Sequence, residues 1–331
     1  MMMNSQIDKP KKPVQVKRKR KVKLIICCLA ALLLLIALVF ALMDRVMTVR
    51  VQSTLSDELE ADVQVIEVDG ARLHYRHMGD NEEVLLLIHG FMGSSYDFHQ
   101  IMPVLAEHFT VYAVDQIGFG LSDKSTDLDY RKANSASLIA SMMENLNVEH
   151  YHILGHSMGG EVAMHIALNR PDNVSRLILL NSAGLTDPQQ GRNTKLPAFL
   201  IEYVFKNYTL QRLVFNRTVY DQNVASRDNF NRFFYFNKQI PARTLVKITQ
   251  DNDSGSLADQ ISDINQPSLV IWGRQDNIIP LEQGISLYSQ LRNSEIVILE
   301  NCGHLPYLEK PHELSGHIRS FLPTNIGEGE H

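Results

Sequence analysis

The stretch that decides the fold is Gly155-His156-Ser157-Met158-Gly159-Gly160. A short apolar run, 151–154, precedes it, and an apolar run at helical spacing follows from Glu161 to Leu168. A serine between glycines, where a strand turns into a helix, is typical of a nucleophile elbow. Side chains in place of the flanking glycines would clash as such a tight turn closes. The stretch therefore predicts that Ser157 is a nucleophile beside the free N–H groups of a helix N-terminus.

A catalytic acid and base are expected downstream of this serine. A serine hydroxyl is a weak nucleophile, so it needs a base that takes its proton and an acid that orients the base. In nucleophile-elbow proteins the acid and then the histidine follow the serine along the chain. Asp276 follows the predicted strand 268–272, and His304 follows the predicted strand 295–299. We therefore predict a triad of Ser157, Asp276 and His304, against the alternatives of a turn-forming aspartate and a structural histidine.

Two backbone N–H groups are expected to stabilise the oxyanion that forms during attack on a carbonyl. One belongs to the residue after the nucleophile, which is Met158. We assign the other to Phe91, in the loop after the unbroken apolar run 84–88, where Gly90 lets the backbone approach the substrate. An ordinary loop between a strand and a helix is the alternative for this segment.

The pattern of motifs resembles the α/β-hydrolase family. HGFMGSS, DQIGFGLSD, GHSMGG, WGRQD and NCGH occur in family order between about Glu83 and Leu322. The chain looks especially similar to membrane-anchored monoacylglycerol lipases of this fold, and to related bacterial lipases, over 271–304. The resemblance implies ester hydrolysis by Ser157, Asp276 and His304, with lipid esters as substrates. Carbon–carbon bond hydrolases and cofactor-free haloperoxidases share a serine triad, so the motifs leave those activities open.

The first 62 residues are predicted to lie outside the catalytic fold. Residues 1–23 carry a net charge of +8, against −5 for the whole chain, which leaves −13 for the rest. Residues 24–43 form an uncharged run that, at about 1.5 Å per residue, spans a hydrocarbon core of about 30 Å. We expect a basic cytoplasmic tail (1–23), a single transmembrane anchor (24–43) and a polar stalk (44–62). The positive flank predicts a catalytic domain on the opposite, periplasmic or extracytoplasmic, side; a cleaved signal peptide is the competing interpretation.

We predict that residues 63–323 form an α/β fold interrupted by a helical cap. Strands alternate with helices over 63–184 and 265–323, which indicates a mostly parallel sheet with helices on both faces. This alternation of strands and helices is absent over 185–264, which we predict to be a cap insertion. From its two aromatic clusters we expect Phe199, Tyr203 and Phe233 to contact an acyl chain. A cap that uses these aromatics for its own small core is the alternative, and both can hold at once.

Motif spacing and charge limit which cofactors and partners we expect. The glycine-rich turn 115–123 lacks a lysine, and its spacing fits neither a P-loop nor a dinucleotide fingerprint. No metal-ligand spacing appears, so we expect no metal and no organic cofactor. The acidic remainder of the chain disfavours nucleic acid.

The expectation is a membrane-bound serine hydrolase that cleaves lipid esters such as monoacylglycerols through an acyl-enzyme. The sequence does not specify the oligomeric state. Two alternatives stay open: a carbon–carbon bond hydrolase of small dienone acids, and a non-catalytic, membrane-tethered binding protein.

Overall fold

The computed structural model describes residues 14–185, 198–251 and 257–323. Some helical residues within these ranges are described by their backbone alone: 14–22, 24, 33, 36, 37, 40, 198 and 199. The chain divides after Arg50 into two compact units. Over the side chains that are described, no helix is long and apolar enough to cross a membrane.

The N-terminal segment is a single helix, α1, from Val14 to Leu59. Its last turns belong to the second unit, where Val51, Leu55 and Leu59 are at most 9% exposed and join a hydrophobic core. Their spacing of four residues places them on one face of the helix, which explains their burial. The segment 44–62 therefore differs from the predicted polar stalk, because it is helical to Leu59 and its end, from Val51, is packed within the second unit.

The second unit is built on one eight-stranded sheet. Its strands are β1 (Val63–Val68), β2 (Ala71–Met78), β3 (Val84–Ile88), β4 (Thr110–Asp115), β5 (Tyr151–His156), β6 (Val174–Leu180), β7 (Ser268–Gly273) and β8 (Ser294–Leu299). Their order in the sheet is β1-β2-β4-β3-β5-β6-β7-β8. Strand β2 pairs antiparallel with β1 and β4, and all other neighbours are parallel. The expected mostly parallel sheet is therefore confirmed.

Helices cover both faces of this sheet, which explains the unbroken apolar strands. In β3, Leu86 and Ile88 belong to one hydrophobic cluster, and Leu85 and Leu87 belong to another on the opposite face. The helices of the fold are α2 (Met102–Leu105), α3 (Lys132–Asn145), α4 (Met158–Asn169), α9 (Leu281–Gln290), α10 (Pro306–Glu309) and α11 (Pro311–Phe321). Helices α3, α4 and α9 contribute to the first cluster, and α2 and α11 to the second.

A helical insertion separates β6 from β7. It contains α5 (Ala198–Lys206), α6 (Tyr208–Thr218), α7 (Arg227–Lys238) and α8 (Ala242–Gln250). Phe215, Phe230 and Phe234 are at most 1% exposed, and their rings lie 5.6–5.8 Å apart in successive pairs. The predicted cap at 185–264 is thus helical where it is described, and it has an aromatic core of its own; 186–197 and 252–256 lie outside the described residues.

Candidate active site

Ser157 lies at the junction of β5 and α4 in a strained backbone conformation. Its φ of 52° and ψ of −122° are rare for a residue with a side chain. The flanking glycines make this turn possible. A Cβ atom on Gly155 would come within 2.4 Å of the Gly159 carbonyl oxygen, and one on Gly159 within 2.3 Å of the Ile88 oxygen. The turn therefore has the geometry that the sequence predicted for a nucleophile elbow.

In the structure, successive hydrogen bonds connect Ser157, His304 and Asp276 in a row. His304 Nδ1 lies 2.7 Å from Asp276 Oδ2, and His304 Nε2 lies 3.1 Å from Ser157 Oγ. All three residues are at most 9% exposed. This arrangement can hold a neutral imidazole with its proton on Nδ1, so that Nε2 accepts the serine hydroxyl proton.

Asp276 is held as a carboxylate by several donors at the end of β7. Asn181 Nδ2 donates to its Oδ2 at 2.7 Å, and the backbone N–H groups of Ile278 and Ile279 donate to its Oδ1 at 2.7 and 3.0 Å. Burial alone would raise the pKa of Asp276, but the hydrogen bonds from His304, Asn181 and Ile279 hold it below its usual value. Sequence reasoning missed Asn181, although its place directly after β6 was a usable signal.

The backbone of His304 is fixed from two sides. Its N–H donates to the Thr218 carbonyl of the cap at 2.7 Å, and its carbonyl accepts from His156 Nε2 at 2.8 Å. Burial, followed by the neighbouring His304, lowers the pKa of His156 to about 3. His156 is therefore a neutral donor that positions the loop carrying His304.

The two residues predicted to supply oxyanion donors also lie at Ser157. Met158 is the first residue of α4, so its N–H has no acceptor within the helix. Phe91 follows Gly90, where a Cβ atom would come within 2.9 Å of Ser157 Cβ. The backbone of this loop therefore packs against Ser157, as predicted from Gly90.

Ser157 and His304 open into a cavity of about 360 Å³ between the sheet edge and the cap. The cap lines the cavity with six apolar residues, Val204, Phe205, Val214, Phe215, Phe233 and Phe236, and with four polar ones, Gln211, Thr218, Asn229 and Arg232. A mostly apolar pocket with a few polar groups is typical of small-molecule sites. Among the described residues, no group of three or more His, Cys, Asp or Glu side chains could hold a metal.

Of the three residues predicted to contact substrate, two have described side chains, and one of these two lines the cavity. Phe233 lines the cavity. Tyr203 is 62% exposed and is not among the described residues that line it, because α5 turns Val204 and Phe205 inward instead. The side chain of Phe199 lies outside the described residues. Helical spacing was an available signal, since α6 lines the cavity with positions 211, 214, 215 and 218, and α7 with positions 229, 232, 233 and 236.

Comparison with known proteins agrees with this fold. The α/β-hydrolase fold family matches residues 83–311. The uncharacterized hydrolase YugF of Bacillus subtilis (strain 168) is 30% identical over 277 residues, covering 80% of this chain and 99% of the relative. A 2-hydroxy-6-oxononadienedioate/2-hydroxy-6-oxononatrienedioate hydrolase of Paraburkholderia xenovorans (strain LB400) is 27% identical, covering 78% and 94% of the two chains.

Solved structures share the architecture. The crystal structure of a membrane phospholipase A, described as a bacterial virulence factor, superposes with a TM-score of 0.69 at 24% identity. The match covers 88% of this chain and 96% of the other, which shows a common fold. Family match, relatives and fold agree, and the chain is therefore a hydrolase of the α/β-hydrolase family.

Proposed function

We propose that this hydrolase cleaves carboxylic esters of long-chain acids, with monoacylglycerols as the expected class, through an acyl-enzyme on Ser157. The observation that carries the proposal is the Ser157–His304–Asp276 row at the end of an apolar cavity. The row supplies acyl-transfer chemistry, and the cavity supplies apolar surface for a hydrocarbon chain. Each buried methylene contributes about 0.8 kcal/mol to binding, so a cavity of this kind favours long acyl groups.

In the proposed mechanism, Ser157 Oγ forms a bond to the ester carbonyl carbon while its proton passes to His304 Nε2. The carbonyl oxygen becomes an oxyanion that accepts hydrogen bonds from the N–H groups of Phe91 and Met158. Collapse of this intermediate breaks the ester bond, and His304 gives its proton to the departing alcohol. Water then attacks the acyl-enzyme with His304 as base, which releases the acid and restores the Ser157 hydroxyl. Asp276 stays ionised and stabilises the imidazolium.

Carbon–carbon bond hydrolysis of a dienone acid is the second candidate, because the Paraburkholderia relative is named as a hydrolase of 2-hydroxy-6-oxononadienedioate. A dioate substrate carries two carboxylates, which need cationic partners in a buried site. Among the described residues that line the cavity, Arg232 is the one Arg or Lys. It already forms ion pairs with Glu58 and, at 3.0 Å, with Asp228. The cavity therefore favours a neutral, apolar ester.

Membrane anchoring through 24–43, with the N-terminus cytoplasmic, is part of the proposal. The described aliphatic side chains of this run are exposed, Leu34 and Leu42 by 63% each. A contiguous exposed apolar surface of this kind indicates a lipid or protein partner, and we expect a bilayer. In carbonate extraction of membranes, the full chain should stay in the pellet, whereas the double variant Leu32→Lys, Leu35→Lys should be released. A full chain that is extracted like the variant would contradict the anchor.

Initial rates on a series of esters test the catalytic proposal. The series runs from acetyl to long-chain acyl esters and includes monoacylglycerols, with the full chain in detergent micelles beside Ser157→Ala. Rates should rise with chain length and be lost in Ser157→Ala. A preference for acetyl esters would contradict a lipid substrate. Turnover of a dienone acid without ester turnover would favour carbon–carbon cleavage, and turnover of neither would favour a binding protein.

A further inference from the structure

One part of the cavity wall is polar and is not used by the proposed reaction. We propose that Ser94, Asp97 and Tyr307 form a subsite that binds a free hydroxyl group of the ester substrate, as presented by the glycerol portion of a monoacylglycerol. This inference rests on the proposed function, because it names the part of the ester that the enzyme recognises.

The Ser94 hydroxyl is the first observation. Ser94 is 1% exposed and lines the cavity, and its Oγ is a buried polar atom without a hydrogen-bond partner. Buried hydroxyl groups nearly always have a partner, because leaving one unmade costs the desolvation of the group. A hydroxyl group can donate one hydrogen bond and accept two, so a substrate hydroxyl in the cavity would satisfy Ser94.

The Asp97 carboxyl is the second observation. It lines the same cavity, and its Oδ2 lies so close to Gly93 that a Cβ atom there would approach within 2.4 Å. The Tyr307 hydroxyl lies 3.5 Å from this oxygen, longer than an ordinary O–H···O hydrogen bond, and the Ser94 backbone is close enough to lower the pKa of the carboxyl. A carboxylate has about four acceptor sites, so Asp97 keeps acceptor capacity for a ligand.

Burial affects the protonation of Asp97 in a way that suits a neutral polyol. Burial raises its pKa to about 7, the Ser94 N–H opposes this rise, and the Asp115 charge adds to it. Near neutral pH the carboxyl is therefore present in both forms, one of which accepts a hydroxyl proton while the other donates one. An anionic ligand would be repelled by the ionised form.

Other polar groups on the wall already have protein partners. Asn229 Nδ2 donates to the Val224 carbonyl at 2.9 Å, and Gln211 Nε2 donates to the Phe205 carbonyl at 2.6 Å. Arg232 is held by its ion pairs and by a hydrogen bond of 2.6 Å to the Tyr96 hydroxyl. Among the described lining residues, the buried side-chain polar atoms without a partner are Ser94 Oγ and His156 Nδ1, and of these two residues Ser94 is the one close to Asp97 along the chain.

The subsite adjoins the reacting centre. The Tyr307 and His156 rings are 5.0 Å apart, and His156 donates to the backbone of His304. Gly93 belongs to the same loop as Phe91, the predicted oxyanion donor. A substrate hydroxyl group close to the scissile ester suits this placement, as in monoacylglycerols, where at least one hydroxyl group is on a carbon next to the ester-bearing carbon.

A matched pair of substrates tests the subsite: a monodecanoylglycerol and propyl decanoate, which share the acyl chain and the three-carbon alcohol but differ in two hydroxyl groups. We expect the full chain to show a kcat/KM at least about tenfold higher for the glycerol ester, since one well-made hydrogen bond to a charged or buried group is worth about that factor. Ser94→Ala and Asp97→Leu should lower this ratio towards one, because each variant removes a proposed partner of the substrate hydroxyl group.

Two further variants separate recognition from loop structure. Ser95→Ala removes the neighbouring buried hydroxyl, which does not line the described cavity, and should keep the wild-type ratio. Asp97→Asn keeps an acceptor for the Ser94 N–H and should lower the ratio less than Asp97→Leu.

Equal kcat/KM values for the two esters in the wild type would overturn the subsite. So would an equal loss on both esters in Ser94→Ala, since that result indicates a purely structural role. A wild type that hydrolyses neither ester would instead refute the proposed function.

Discussion

The sheet edge and the cap contribute to the same cavity, but they hold their side chains in different ways. At the sheet edge, Ser157, Asp276 and His304 each follow a strand and are fixed by backbone and side-chain hydrogen bonds. In the cap, Phe215 and Phe233 are held by aromatic packing, with ring centroids 5.3 Å apart. Directional hydrogen bonds allow little displacement, whereas apolar packing tolerates substitutions that keep volume. The comparison therefore predicts that the edge controls the rate of the chemistry and that the cap controls which acyl chain is accepted.

The largest effect is expected for Asp276→Asn at the sheet edge. The substitution keeps the shape of the side chain but removes the charge that stabilises the His304 imidazolium and fixes its tautomer. We expect kcat to fall about 10⁴-fold with KM little changed. Steady-state kinetics on one long-chain ester checks this, with circular dichroism as the control for folding. A loss of less than tenfold would mean that Asp276 does not orient the base.

Asn181→Ala should have a smaller effect at the same edge. Asn181 donates to Asp276 Oδ2 and lowers its pKa. Loss of this donor raises the pKa of Asp276, so the acid limb of the pH–rate profile should move to higher pH. We expect kcat at neutral pH to fall roughly 10- to 100-fold, in the range of losses seen when an outer-shell partner is removed. An unshifted acid limb would show that Asn181 has only a packing role.

Phe233→Ala tests the cap side of the comparison. Removal of this ring should lower kcat/KM for long-chain esters about tenfold, because about 1–2 kcal/mol of apolar contact is lost, and should leave acetyl ester turnover unchanged. Tyr203→Ala is the matched control, since Tyr203 is an exposed aromatic residue of the same cap. A uniform loss over all chain lengths in Phe233→Ala would contradict the division between edge and cap.

Asp97 belongs to neither the sheet edge nor the cap, and we expect it to have a small, pH-dependent effect on the stability of the fold. Because its pKa is raised by burial, the native state binds a proton more tightly than the unfolded state does. The contribution of Asp97 to the free energy of unfolding should therefore fall as pH rises from about 4 to about 7, by about 1 kcal/mol, because solvent screens a partly exposed carboxyl. Denaturant unfolding of the wild type and Asp97→Asn measures the difference. Parallel pH dependence in the two proteins would contradict the prediction.

The two regions also differ in how well the sequence predicts them. The meeting of Ser157, Asp276 and His304 and the placement of the Phe91 loop follow from chain order, because strand ends meet at one edge of a parallel sheet and glycines mark the tight turns. The antiparallel β1–β2 hairpin turns at Asp69-Gly70, a dipeptide typical of tight hairpin turns, which adopts φ values of 49° and 79°. Local rules of this kind leave few alternatives.

In the cap, composition predicts apolar helices but does not set their rotation. Tyr203, which was expected to contact the substrate, is exposed, whereas Phe205, two residues further along α5, lines the cavity. A rotation of about 100° per residue makes such a choice depend on the packing of all the cap helices. The prediction of a polar stalk before β1 failed for a similar reason. The three buried residues of this segment, Val51, Leu55 and Leu59, lie among charged neighbours, so the apolar face of the helix is hard to recognise in the sequence.

The most direct test of the central claim is the rate at which two fluorophosphonates, one with a methyl and one with a dodecyl chain, inactivate the full-length protein. The modified residue is identified by mass spectrometry of proteolytic peptides. The proposed site predicts a single adduct on Ser157 that forms at least about tenfold faster with the dodecyl reagent, because the apolar wall binds the chain before the serine reacts. Labelling of another residue would contradict the nucleophile, and equal rates for the two reagents would contradict the acyl-binding role of the cavity.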